Sequence, residues 1–472
     1  MAVAIICLMA IGVILGISNA KNGLNFNESL LDLDNKVNEA NDIREDEIPP
    51  IDEEIFLDGE TCDEQAAKWA EAIEKSRANG GGNHILVTMK KDWVAIDHSV
   101  YIKSFASNID NLSVRYGGIC IPANTIITLD LNGCTINKNL NQPVDNGNVI
   151  FIYGTLILKD SKYNSVAVQN AYHENPANSN IVQVAESLGA GKITGGNIEH
   201  SGGAFQIIQS AKFYMNSGII YNNKALIYGG AIYGCEQSII KIYDGIIANN
   251  TANSGGGIYV RDGVSFSMYN GFVIGNSVTN SGGGIYYSYL SISPNIYGGV
   301  ISRNNAINDA GGILLASLSV VPANITNCII DRNITSGTDT SCGGGICGIF
   351  NNIVNINGCT ITNNTAGLFG GGAYFEGTST ITVADTVITY NQAKIDPSGV
   401  TSYAKYGGIA VTGTNGKLRL GAGCLIYSNQ AEGLASNAYS AKPIEIYENL
   451  VGNGKAFRVA VNVSSGVVFT SG

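Results

Sequence analysis

Five aspartates in the second half of the chain, Asp309, Asp331, Asp339, Asp385 and Asp396, are its candidates for acid–base chemistry. Cleaving a glycosidic bond takes two carboxylates facing each other roughly 5 to 10 Å apart, one to protonate the leaving oxygen and one to attack or to activate water. These five do not repeat in one phase: Asp331 lies two residues before Asn333, whereas Asp385 lies six before Asn391. No Asp-Asp pair and no Gly-His-Gly occurs, and all four histidines, His84, His98, His173 and His200, precede the regular repeats described below. Arg303 and Arg332 do share a phase, each directly before an Asn, and two readings stand for them: a site for an acidic glycan, or two solvated arginines on a turn.

Cysteine chemistry is equally open. The chain has ten cysteines, and nine remain once a leader carrying Cys7 is removed, so they cannot all pair internally. Cys328, Cys359 and Cys424 each sit five residues before an Asn, where other copies carry Gly218, Gly245, Gly271, Gly299 or Thr386. Stacked core thiols, a Cys328 to Cys359 bridge and a metal site are the readings. Cys342 and Cys347 lack the second nearby pair of a zinc knuckle. The Gly-rich "NSGGGIY" (253–259) is no phosphate loop, since none of its copies carries the Lys and Ser/Thr that such a loop needs.

That Gly-rich stretch recurs. The last Gly before a small or aliphatic residue falls at Gly203, Gly230, Gly257, Gly284, Gly312, Gly345, Gly372 and Gly408, at intervals of 27, 27, 27, 28, 33, 27 and 36. A second anchor, an aliphatic residue three before an Asn, ends at Asn223, Asn250, Asn276, Asn304, Asn333, Asn364, Asn391 and Asn429. A unit of about 27 residues suits one turn of a parallel β-helix, read here as three short strands and three turns, with successive rungs about 4.8 Å apart. Stacking then explains the residue types. Gly tolerates close backbone approach at a corner, Asn amides form a ladder, and the aliphatic residue points inward. The longer intervals come from "SGTDTSCGG" (336–344) and "KIDPSGVTSYAKYGG" (394–408), both between the Asn and the Gly, where corner loops leave the strands intact.

The segments before the array read differently. Residues 1–20, an uncharged apolar run ending in "SNA", have the look of a secretory signal. Between Glu28 and Glu60, 13 acidic residues face only Lys36 and Arg44, a balance of −11 that equals the net charge of the chain. Residues 21–60 therefore read as an acidic, disordered spacer, and the remainder is neutral. Without a basic excess, nucleic acid is discounted as a partner. Residues 61–116 read as an N-terminal cap: a helix over 63–78 with Trp69, Ala72, Ile73 and Ser76 on one face and Thr61 or Asp63 at its start, then the strand "HILVTM". The array follows over 117–465, roughly 13 rungs at that spacing.

The "GGAI" at 229–232 and the aliphatic-x-x-Asn anchors resemble the Gly-Gly-Ala and Phe-x-x-Asn repeats of the chlamydial polymorphic outer-membrane protein family. Ile or Val stands throughout where that family has Phe, and no autotransporter barrel follows the repeats. More widely, the chain resembles right-handed β-helix proteins of the adhesin-like and pectin-lyase-like kinds. The resemblance implies an all-β, right-handed parallel β-helix with an N-terminal capping helix. It further implies a monomeric solenoid, secreted or held at the cell surface, that binds a host protein or polysaccharide without catalysis. A polysaccharide lyase or hydrolase and a structural spacer are the alternatives. No catalytic residue, cofactor site or metal ligand is assigned. Tyr228, Tyr233, Tyr259, Tyr286, Tyr287, Tyr374 and Tyr406 flank the Gly-rich corners, either as an aromatic contact strip or as ordinary packing. Asn249, Asn324, Asn333 and Asn363 lie in glycosylation sequons.

Overall fold

The computed structural model of the chain describes residues 48–94, 119–177, 180–288, 292–317, 321–337, 341–394 and 406–431, and short stretches from 434 to 469. The expected leader (1–20) and most of the acidic segment lie outside the described residues. Among the described residues no helix is long and apolar enough to cross a membrane.

The described chain coils as a parallel β-solenoid. One rung runs Lys212–Met215, Ile219–Tyr221, Lys224–Ala225 and Ile232–Gly234 before Ile239–Ile242 begins the next. These strands stack into four sheets, here A, B, D and C in chain order, of 14, 12, 10 and 11 strands. The expected three strands per rung are thus four. The extra strand, in sheet D, is only two residues long and directly follows the Asn anchor, whose buried amide closes the turn and lets the next residues pair at once.

Register follows the aliphatic anchors. Ile220, Ile247, Val273, Ile301, Ile330, Ile361, Ile388 and Ile426 are Cα partners in succession through sheet B. All are buried in one continuous core that runs from Ile55 to Ile446. A one-residue slip would turn this column outward, so the apolar pattern fixes the pairing.

The corner chemistry is as the repeat implies, with one refinement. A Cβ on Gly256 or Gly257 would lie 2.6 Å from the carbonyl oxygen of Gly283 or Gly284, so side chains are excluded there by the rung above. At the corner between sheets A and B, Gly218, Gly245, Gly271 and Gly299 have φ of 94° to 112°. Where Cys328, Cys359 or Cys424 takes that place, the left-handed conformation moves back one residue, to Asn327, Gly358 or Gly423. The corner therefore keeps one left-handed residue that can shift by one position, and the position itself takes a small side chain in either case.

The helix α1 (Cys62–Arg77) starts at Thr61, whose hydroxyl accepts from the Glu64 amide while the Glu64 carboxylate accepts from the Thr61 amide. Its buried face includes Trp69, Ala72, Ile73 and Ser76, as the spacing predicts. It closes the first rungs: Trp69 Nε1 donates to the Cys120 carbonyl, and Ser76 Oγ accepts from the Ile126 amide. Two boundaries shift. Glu53–Leu57, placed by composition in the spacer, is the first strand of sheet A and pairs in parallel with His84–Met89. His84–Met89 in turn pairs with Ile126–Asp130, so solenoid stacking begins well before residue 117.

Two further helices were not anticipated. α2 (Ser165–Glu174) and α3 (Ile181–Ser187) interrupt the corner between sheets A and B, and Asn164 and Asn180 cap them by accepting from Ala167 and Gln183 amides. They bury Val168, Tyr172 and Ile181 against the outer face of sheet B at Ile219, Ile246, Phe272 and Val300.

Candidate binding face

The structure scatters the described candidate carboxylates. Asp309 stands at the entry to a sheet C strand and Asp331 ends the sheet B strand Cys328–Asp331. Asp385 is a left-handed residue, φ 47°, at the corner between sheets A and B. Asp339 and Asp396 lie outside the described residues. Asp331 is nearly fully buried and committed: Tyr172 Oη donates to it at 2.9 Å, Asn363 Nδ2 at 3.2 Å, and Arg332 forms an ion pair with it. Such a carboxylate anchors the helical insert to the solenoid.

The two in-phase arginines do stack on neighbouring rungs, both with left-handed backbones, φ 54° at Arg303 and 53° at Arg332. Their guanidinium groups serve different partners, Arg332 the Asp331 carboxylate and Arg303 the Pro176 carbonyl. They are tied into the seam between α2, α3 and sheet B, which answers the choice between glycan site and solvated turn with a third role.

The tyrosines form a stack rather than a platform. Tyr228 and Tyr259 lie 4.3 Å apart and Tyr259 and Tyr286 4.6 Å apart, ring on ring along the solenoid axis. Ring lies on ring within the stack, where Tyr233 and Tyr259 are only 6% exposed, while Tyr228 at its end keeps 36% of its surface exposed. Tyr287 belongs to the interior, edge-on to Phe266. The band resumes at Phe369 with Tyr374 and at Tyr406 with Tyr439. A second stack, Tyr243, Tyr269 and Tyr297, runs beside the corner from sheet A to sheet B. Ring faces engaged with one another are not free to stack on a sugar.

Cys328, Cys359 and Cys424 are buried and form no disulfide. Each donates to a carbonyl of the rung before it, Ile296, Ile325 and Val383 in turn. Thr386 holds the equivalent place, its hydroxyl donating to the Ala384 carbonyl and accepting from the Cys359 amide. Cys342 and Cys347 come together, and the structure adds Asp309 beside them, a carboxylate that spacing alone did not join to the pair. Among the sequons, Asn333 is fully buried in the Asn ladder, while Asn249 and Asn363 are exposed turn residues.

Among the described residues, the outer face of sheet A is one surface that remains open. One outward column there reads Ser267, Asn295, Asn324, Asn355 and Thr382, Cα partners on five successive strands. Its amides are linked: Asn324 Nδ2 donates to Asn295 Oδ1 at 2.9 Å, and Asn355 Nδ2 to Asn324 Oδ1 at 3.0 Å. Neighbouring outward positions are Ser265, Thr326, Asn357 and Thr380, with Pro322, Ile353 and Ala384 among them, so this stretch is uncharged and mostly polar. Charge returns at its borders, with Lys241 over the Tyr214 ring on one side and the Arg419–Glu445 ion pair on the other. The column lies nine residues before successive Asn anchors, at the same spacings of 28, 29, 31 and 27 residues, and sequence reading missed it because its residue type changes from Ser to Asn to Thr along the array. The chain matches no protein-family model, no curated protein and no solved structure.

Proposed function

We propose that this β-solenoid is a secreted or surface-displayed, adhesin-like protein that binds a neutral polysaccharide along the outer face of sheet A, without cleaving it. The observation that carries the reading is the Ser267–Asn295–Asn324–Asn355–Thr382 column. It offers donors and acceptors at rung spacing, about 4.8 Å, on a rigid scaffold that needs no ordering on binding. Preorganised groups lose little entropy when a chain-like ligand lies across them. The absence of charged side chains along the column favours a neutral polymer over an acidic one.

The hydrolase and lyase alternative draws less support. Asp309, Asp331 and Asp385 lie at three different parts of the solenoid, and Asp331 is buried and spent on Arg332 and Tyr172. Incubation of the purified chain with neutral and acidic polysaccharides, followed by assay for new reducing ends and unsaturated products, separates the readings. Binding without products is the expected result, and saturable cleavage would replace this proposal with the enzymatic one.

A further inference from the structure

Near the foot of the aromatic band, the stacked tyrosines give way to sulfur. The outward column of sheet C runs Tyr233, Tyr259, Tyr286, Leu314, Cys347 and Tyr374 in register. Cys347 therefore occupies a place that its neighbours fill with large side chains. Cys342, on the same rung just before the Gly-rich corner, turns its sulfur to within 2.9 Å of the Cys347 sulfur. Asp309 reaches the pair from the preceding rung, with Oδ1 3.1 Å from Cys342 Sγ. The three ligand atoms all lie within 4.8 Å of one another.

We infer that Asp309, Cys342 and Cys347 form a binding site for one thiophilic divalent cation of the zinc type. Two sulfurs and one carboxylate oxygen are the donor set that such d¹⁰ ions prefer. Metal bonds of roughly 2.3 Å to sulfur and 2.0 Å to oxygen at tetrahedral angles place the donors about 3.4 to 3.8 Å apart. Moving there from the present separations is a side-chain adjustment. Both cysteines are buried, whereas Asp309 is only partly so and leaves a fourth position open to solvent.

The electrostatics also suit a cation. The charged groups that bear on Cys347, Asp309 and Glu376, are both negative. A bound cation offsets that charge and displaces the protons, so affinity rises with pH. Cys342 stands three residues before Gly345, the place that Asp309 and Ser281 hold before Gly312 and Gly284. The site stands independently of polysaccharide binding.

The test is titration of the full chain, reduced with a phosphine, with Co²⁺ as the spectroscopic probe. One equivalent giving tetrahedral visible bands and thiolate-to-metal absorption is expected, with Zn²⁺ displacing it. Cys342→Ser and Cys347→Ser should each abolish the thiolate band, and Cys328→Ser should leave it intact. Asp309→Asn keeps both thiols and should weaken Co²⁺ by roughly ten-fold or more, which preserves the test if a cysteine variant fails to fold. Absence of the band, or its survival in Cys342→Ser, overturns the site. So does a Cys342–Cys347 disulfide that mass spectrometry finds intact after reduction and metal addition.

Discussion

One oxygen of Asn276 holds Asn250 twice: Asn276 Oδ1 accepts from the Asn250 backbone amide at 2.9 Å and from Asn250 Nδ2 at 3.0 Å, in a fully buried turn. Asn250 Nδ2 also donates to the Ile220 and Ala248 carbonyls. The same pattern repeats from Asn223 to Asn429, so each ladder amide satisfies buried groups on two other rungs.

Asn304→Leu therefore leaves the Asn276 amide and side chain without their acceptor, and the Val273 carbonyl without its donor. Each orphaned buried group costs about 1 to 3 kcal/mol, so a loss of roughly 3 kcal/mol or more is expected. A lowered urea midpoint measures it, and an unchanged midpoint would mean that the ladder is ornamental to stability.

Tyr390 precedes ladder residue Asn391, has φ 56°, and is 55% exposed. A non-Gly residue there carries a left-handed penalty of about 1 to 2 kcal/mol, of which Asn recovers part by local hydrogen bonding. Tyr390→Asn should accordingly raise the stability of the chain by about 0.5 to 1 kcal/mol, read as a higher melting temperature. A drop would show that the ring contributes more than the backbone strain costs.

Lys138 is buried, and its ammonium donates to the Asn146 and Asn148 carbonyls at 2.6 Å. Burial lowers its pKa to about 7, against about 10.4 in an unfolded chain. Between those values the unfolded chain holds a proton that the folded chain lacks, so this group's contribution to stability rises with pH through that window and is lowest below it. Lys138→Met removes that slope. The stability gap between variant and wild type, followed by urea unfolding from pH 7 to 10, should move in favour of the wild type as pH rises; parallel curves would contradict the assignment.

Much of the fold is legible in the residues because identical positions must stack. Gly257 meets the Gly284 carbonyl and Asn250 meets Asn276, so each anchor recurs by necessity. The capping helix was likewise readable from Trp69, Ala72 and Ile73 at helical spacing. What stayed hidden lacks that constraint. The helices α2 and α3 occur once, and their Asn164 and Asn180 caps are lost among the many asparagines of the chain. Meetings across loops were also hidden. The Tyr172 hold on Asp331 depends on an insert that occurs once, whereas Asp309 with Cys342 and the sheet A column lie in phase with the Gly and Asn anchors and were hidden because their residue types vary from rung to rung.

The most direct test of polysaccharide binding on sheet A is equilibrium binding of the full chain to a panel of soluble neutral polysaccharides, beside the double variant Asn324→Lys, Asn355→Lys. The column faces outward, so the variant should keep its circular-dichroism spectrum and melting behaviour. Saturable binding by the wild type, reduced roughly ten-fold or more in the variant through two unpaired charges set against a neutral ligand, is the expected result. Equal binding by both proteins would contradict it and move the ligand to another face.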